Sequence, residues 1–174
     1  MPHSMSAPSA QPAPSAQPSP HDERHLVAAI AIAASARKNG NHPFGALLTD
    51  AAGNVVLEAE NTVVTESDVT AHAETNLVRK ASRTLSPEQL AAATLYTSTE
   101  PCAMCAGAIY WSGIRRVVYA LGEDELAVLA GTSGEHLLLA LPSRKVFAHG
   151  NPVVEVAGPF LHESAAAVHT GFWD

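Results

Sequence analysis

The chain has 174 residues, enough for one domain with a substantial core. Its formal charge of −7 is a poor counterpart for a phosphate backbone, so strong nucleic-acid binding is not expected, while 47% apolar residues exclude global disorder. No apolar run reaches about 18 residues, which argues against a membrane span, and two cysteines exclude a disulfide scaffold.

Residues 1–20 hold six of the twelve prolines, with Ala, Ser and Gln and no Asp, Glu, Lys or Arg. That mixture predicts an extended, mobile tail, and it lacks the basic start and apolar stretch of a signal peptide. The folded domain is expected over residues 21–174. Residues 22–39 read as a helix with Leu26, Val27, Ile30, Ala33 and Ala34 on one face and Gly40 as its stop. Residues 44–49 and 55–59 read as strands joined by turn residues Asp50 to Asn54, hence a hairpin. A loop over 61–69 leads to a helix over 71–85, with Thr70 as its candidate N-cap and Ser86-Pro87 ending it. A β-rich stretch follows at 94–99. Next come a helix over 102–112 with Pro101 at its first turn and Gly113 at its end, and a strand over 116–120. A short helix at 135–141, a strand at 153–156 and a helix at 160–168 complete the chain. Strands alternating with helices imply a layered α/β domain, with the later strands parallel and the opening hairpin an antiparallel edge. Arg115-Arg116 reads as a solvated basic pair, and His42, His136, His149, His162 and His169 as surface or loop residues.

Cys102 and Cys105 stand at metal or redox spacing, which suits a reducing compartment and hence the cytoplasm. Alone, they are also readable as a redox pair or two buried thiols, and His72 as a hydrogen-bonded core histidine. Together, His72-Ala-Glu74 and Pro101-Cys102-x-x-Cys105 point to one metal site. Two thiolates and one imidazole favour zinc. The chain has no further cysteine to close a structural site, and no histidine at finger spacing. Three protein ligands and an open position form the catalytic pattern, with one zinc per chain. Water at that position has its pKa lowered from about 15.7 to near 7. Glu74 lies about 200° round a helix from His72, poorly placed as a co-ligand but able to reach that water as a proton shuttle.

The pair of motifs resembles the signature of the zinc-dependent nucleobase and nucleoside deaminases. The resemblance runs through Pro43-Phe44-Gly45-Ala46, Asn61, Thr70 to Glu74, Thr94 to Thr97, and Glu100 to Trp111. It implies the three-layer α/β/α cytidine deaminase-like fold, a five-stranded mixed sheet between helices. It also implies hydrolytic release of ammonia from an amino-heterocycle. Pro43 to Ala46, Ile109-Tyr110-Trp111 and the terminal Phe172-Trp173 look most like the guanine deaminases. Free guanine is therefore the first expectation, with cytosine or an aminotriazine as related substrates. The alternatives are tRNA adenosine deamination, whose enzymes share Cys-Ala-Met-Cys-Ala-Gly-Ala, and a non-catalytic zinc-stabilised binding protein.

A planar base needs stacking walls and a few directed hydrogen bonds. The resemblance makes Asn61 a base contact, with a turn-forming role as the other reading, and it carries over Ala73. Phe44 is either a stacking wall or core. Trp111 lines the pocket or a dimer seam. Guanine deaminases carry an acidic residue after the strand ending near Tyr119. By spacing, Glu125 is the first candidate and Glu123 the second, each also readable as surface charge. Phe172 and Trp173 cap a pocket, their own or a partner's, or pack on the first helix. The expected partners are a small nucleobase-like substrate and a second copy in a homodimer, with no membrane.

Overall fold

The structure, a computed structural model, describes residues 17–131 and 139–173. Helix α1 (Pro20–Lys38) is capped by Ser19, whose hydroxyl oxygen accepts from the Asp22 N–H at 3.1 Å. Pro20 sits in its first turn and Arg37 and Lys38 in its last, where the helix dipole favours cations. The buried stripe runs Leu26, Ala29, Ile30, Ala33, Ala36. Val27, expected on that stripe, is 54% exposed, because the three- and four-residue steps from Leu26 pass it by.

Strands β1 (Gly45–Thr49) and β2 (Val55–Glu60) form the expected hairpin, and Asp50 Oδ1 accepts from the Ala52 and Asn54 amides in the turn. Gly45 is fixed by close approach: a Cβ there would run into the backbone of α1 at Ala29 and Ala33. The expected loop contains a one-turn helix, α2 (Val63–Glu66). Helix α3 (Ala73–Thr84) starts two residues later than expected. Its N-cap is His72 rather than Thr70, whose hydroxyl instead donates to Asp68 Oδ1 at 2.7 Å. Ser86 follows the end of α3 and opens another helix, α4 (Pro87–Ala92), through a capping box with Gln89.

Strand β3 (Thr94–Thr99) leads into α5 (Ala103–Ser112), where Pro101 precedes the N-cap Cys102 and Gly113 closes the helix at φ 94°. Strand β4 (Arg116–Leu121) is followed by α6 (Glu123–Ala130), an element absent from the sequence expectation. The helix expected at 135–141 falls mostly outside the described residues, and its described end, 139–141, is not helical. Helix α7 (Ser143–Phe147), strand β5 (Glu155–Ala157) and helix α8 (His162–Ala167) finish the fold.

The sheet runs β2-β1-β3-β4-β5. β1 is antiparallel to β2 and β3, while β3, β4 and β5 are parallel, as expected for strands joined through helices. Alternation along each strand feeds two cores. Ala46, Leu48, Leu95 and Val117 face α3 and α5, and Leu47, Tyr96 and Val118 face α1 and α8. These layers make the three-layer α/β/α architecture.

Arg116 is not the solvated cation of the sequence reading. Its guanidinium donates to Asp22 Oδ1 at 2.8 Å and Oδ2 at 3.0 Å, and reaches Glu155 at 3.2 Å. Tyr96 donates to Asp22 Oδ1 at 2.8 Å. Burial raises the Asp22 carboxyl, and the bonds from Arg116, Tyr96 and Ser19 more than reverse this, taking it down to about 2. This network ties α1 to the middle of the sheet. Among the described residues no helix is long and apolar enough to cross a membrane.

Candidate active site

Two helix N-termini meet above one face of the sheet. His72 is the N-cap of α3, and Cys102 is the N-cap of α5, just beyond the end of β3. The helices pack side by side, and this brings together residues 30 positions apart. His72 Nδ1 lies 3.7 Å from Cys102 Sγ and 3.5 Å from Cys105 Sγ. All three donor atoms lie within 4.8 Å of one another. Zinc bonds of about 2.3 Å to sulfur and about 2.05 Å to nitrogen, at a tetrahedral angle, put those atoms ~3.6 Å apart. Donor chemistry and spacing therefore fit a single tetrahedral zinc ion.

The thiols differ. A hydrogen bond from Cys105, then one involving His72, pulls Cys102 down to about 4 despite its burial. Cys105 is pushed up, first by its bond to Cys102 and then by burial. The opposite shifts mean that Cys102 is the thiol that ionises more readily, and a dication would favour thiolate at both. His72 is raised by its bond to Cys102 and, against burial, by the charge of Glu74.

Glu74 is the second residue of α3 and only 5% exposed. Burial pushes its carboxyl up, and the Cys102 charge adds to this. It borders the metal triad, since its charge helps raise both His72 and the Cys105 thiol. Its Oε1 accepts from the Thr97 hydroxyl at 2.9 Å. Ala73, between ligand and acid, is fully buried at the first position of the helix, where an amide has no intrahelical acceptor.

Asn61 is buried where β2 ends. Its N–H donates to the Phe44 carbonyl at 3.0 Å, and its Oδ1 accepts from the Val63 amide at 3.1 Å. The turn role is therefore realised, and the side-chain NH2 is the group it can offer a ligand. Asn76 pins this corner to α3, its amide nitrogen reaching the Glu60 carbonyl at 3.0 Å and Thr62 Oγ1 at 2.9 Å.

Phe44 packs against the α3 and α5 side of the core, and its outer edge meets the C-terminal aromatics. Trp173 lies 6.2 Å from the Phe44 ring and 5.7 Å from His42. Phe172 sits under the Arg37 guanidinium of α1 at 5.6 Å. Both terminal aromatics thus pack on their own chain. Trp111 is 84% exposed at the end of α5, so it lines no pocket of this chain. An outward position on a helix that buries Cys105, Ala106 and Ile109 explains this.

The acidic segment proves to be the first turn of α6. Glu125 turns toward α8, its Oε1 3.5 Å from His162 Nδ1. Glu123 is the member coupled to the site. Burial, then the charges of Glu100 and Cys102, raise it to about 7, and its Oε2 is buried without a partner. Glu100 organises this corner. One oxygen accepts from the Glu123 amide at 3.3 Å, and the other accepts from the Ser143 amide at 2.9 Å and hydroxyl at 2.8 Å.

Several of these contributors were missed in the sequence. Thr97 and Thr99 carried a signal, as part of a run of three polar residues, Thr97, Ser98 and Thr99, ending a β-rich stretch just before Cys102. Asn76 and Ser143 carried none, because their partners are distant in the chain, and Glu100 was read only as part of the motif running to Trp111. His169, expected at the surface, is 2% exposed and stacks with Trp173. The turns that bring it under the terminal aromatics leave no local pattern.

The family model of the cytidine and deoxycytidylate deaminase zinc-binding region matches residues 19–121. A probable cytosine deaminase of Schizosaccharomyces pombe is 44% identical over 153 residues, covering 88% of this chain and 93% of the relative. A guanine deaminase of Bacillus subtilis is 42% identical over 106 residues, 60% of this chain and 67% of that one. Among solved structures, a guanine deaminase from Nitrosomonas europaea superposes with a TM-score of 0.70 at 24% identity, covering 90% of this chain and 86% of that one.

Proposed function

Because the chain belongs to the cytidine and deoxycytidylate deaminase family, and is a hydrolytic deaminase acting on nucleobases, we propose that its substrate is a free base, cytosine first and guanine second. The observation that carries this reading is Glu123, a half-buried carboxyl whose Oε2 is buried without a partner among the described residues and on which the charge of Cys102 acts. A carboxylate there accepts from a ring N–H. In a nucleoside the corresponding nitrogen of cytosine or guanine carries the sugar instead, so a free base satisfies the site and a nucleoside leaves it unpaired. Cytosine stands first because the fungal cytosine deaminase matches across nearly its whole length. Glu123 is preferred to Glu125 because the charge of Cys102 acts on it, whereas Glu125, whose Oε2 is also buried without a partner, holds its Oε1 toward His162.

His72, Cys102 and Cys105 would hold one zinc per chain, which supplies Lewis-acid activation of water. The other steps belong to side chains. Glu74 takes one proton from the attacking water and delivers it to the ring nitrogen beside the amine-bearing carbon, then takes the second from the added hydroxyl and delivers it to the amine, which leaves as ammonia as the carbonyl forms. A carboxyl raised by burial serves both as base and as acid near neutral pH. Thr97 holds one oxygen of Glu74, so the carboxyl does not swing away between the two transfers. The Asn61 amide and the Ala73 N–H orient the base, and Phe44 and Trp173 offer stacking walls. A homodimer with the exposed Trp111 at its seam, and a cytoplasmic location, complete the proposal.

The test is ammonia release from cytosine, guanine, cytidine, guanosine, an aminotriazine and tRNA. Turnover of a free base, with its nucleoside at least tenfold slower, is the expected result. Preferential turnover of a nucleoside or of tRNA would overturn the reading.

A further inference from the structure

We infer that His169 is a substrate-binding residue, whose Nε2–H donates to an acceptor on the edge of the base away from its amine-bearing carbon. This rests on the free-base reading above and names a contact that completes it. The starting observation is an orphan: His169 Nε2 is buried and has no hydrogen-bond partner among the described residues, in a side chain only 2% exposed. Buried N–H groups of this kind are costly unless something supplies an acceptor.

The tautomer follows from a neighbour. Trp173 Nε1 lies 3.3 Å from His169 Nδ1. An indole N–H can only donate, so Nδ1 must be the acceptor and the ring hydrogen sits on Nε2. Burial, together with the Arg37 charge, takes the imidazole down to about 4 and keeps it neutral near physiological pH. The orphan is therefore a fixed N–H donor, and its ligand must bring a lone pair.

The position follows from the sheet. Ala46 pairs with Thr97, and the Gly45 amide donates to Ser98 Oγ at 3.1 Å, so Phe44, just before β1, lies toward the Thr99 end of β3. Phe44 packs against the same core, beside α3, that Ala46 enters. Thr97 meets Glu74 on that side. The His169 ring centroid is 5.3 Å from that of Phe44. His169 thus stands beside Phe44 and Trp173, the two stacking walls, and the other buried side-chain atoms without a partner among the described residues are Thr99 Oγ1, Glu123 Oε2 and Glu125 Oε2.

The segment is anchored as well as placed. Arg37 Nη1 donates to the carbonyls of Val168 and Thr170, the residues on either side of His169, at 2.8 Å each. With the backbone clamped to α1 and the ring stacked on Trp173 at a 12° interplanar angle, the donor is held in place before any ligand arrives. Glu123 as acceptor and His169 as donor would read an edge with one N–H and one carbonyl or ring nitrogen, a pairing that cytosine and guanine both present.

The experiment uses the full chain and two substitutions. His169→Phe keeps an aromatic ring and removes the donor, while His169→Gln places an amide N–H near Nε2. Ammonia release gives kcat and KM for cytosine and guanine, and calorimetry on Glu74→Gln protein gives the affinity of each base without turnover. His169→Phe should raise KM and Kd at least tenfold, change kcat less than threefold and leave zinc content unchanged. His169→Gln should recover most of the loss. The unmutated protein provides a check independent of folding: 2-thiocytosine, a weaker acceptor at the carbonyl position, should bind at least tenfold more weakly than cytosine. KM and Kd within threefold of wild type in His169→Phe, or equal losses in both variants, would overturn the assignment, leaving a trapped water or packing as the role. If no base releases ammonia but binding still depends on His169, the free-base deaminase reading falls and the His169 contact stands. If turnover is normal and indifferent to His169, the deaminase reading stands and the His169 contact falls. The absence of both turnover and binding sinks both.

Discussion

Replacing Thr97 by valine would test how the proton-transfer carboxyl is held. The Thr97 hydroxyl has one hydrogen and two acceptors within reach, Glu74 Oε1 at 2.9 Å and the Thr99 carbonyl at 3.1 Å. An ionised Glu74 claims that hydrogen, because a charged acceptor makes the stronger bond. A buried hydrogen bond to a charged group is worth about 1.5–3 kcal/mol, and its loss falls on the carboxylate form alone. At about 1.4 kcal/mol per factor of ten, Thr97→Val should cut turnover roughly 10- to 100-fold near neutral pH. Burial already raises the Glu74 carboxyl, and removing a donor to its anion raises it further. The base form is then lost at higher pH as the solution is acidified, so the acidic limb of the kcat/KM profile moves up and activity recovers as pH increases. Thr97→Ser, which keeps the hydroxyl, should behave like wild type. The assay is ammonia release across pH with zinc content measured in parallel. A pH-independent loss would mean that Thr97 acts through packing, and no loss would mean that its hydrogen belongs to the Thr99 carbonyl.

Glu74→Gln should keep fold and zinc while losing nearly all turnover, because an amide cannot carry the proton; retained turnover would move that role elsewhere. Cys105→Ser should release zinc and lower the melting temperature, since metal binding and folding are coupled through ligands from two helices; elemental analysis and a thermal melt check both. The Asp22 carboxyl, lowered from 3.8 to about 2, should contribute roughly 2 kcal/mol of stability above pH 4. That stability is lost as pH falls from about 4 through about 2, and acid titration of Asp22→Asn, read by circular dichroism, should lack this part of the loss.

The zinc triad was legible because its residue types are rare together and sit at short fixed spacings: His72 two residues before Glu74, Cys102 three before Cys105. The hairpin, the parallel strands and the major helices were legible too, since turn chemistry and apolar periodicity are local. Boundaries shifted where a side chain found a better partner, as Thr70 did in Asp68. Helix α6 was missed because Glu123, Asp124 and Glu125 read as a surface charge run, although acidic residues at a helix start are favoured by its dipole.

What only the tertiary structure decided was which polar groups share a dry space. Nothing near Glu123 in the chain says that the charge of Cys102 acts on it, or that Glu125 turns to His162. Arg116 looked solvated until α1 delivered Asp22 to it across the sheet. Trp111 and Trp173 were equal candidates as sequence, yet one is 84% exposed and the other stacks on a buried histidine. Spacing within each motif depends on the covalent chain, whose geometry is the same in any context, while the meeting of His72 with Cys102 required α3 to pack beside α5. Substrate contacts depend on burial and on unpaired donors and acceptors, which exist only once distant segments have excluded water from around them.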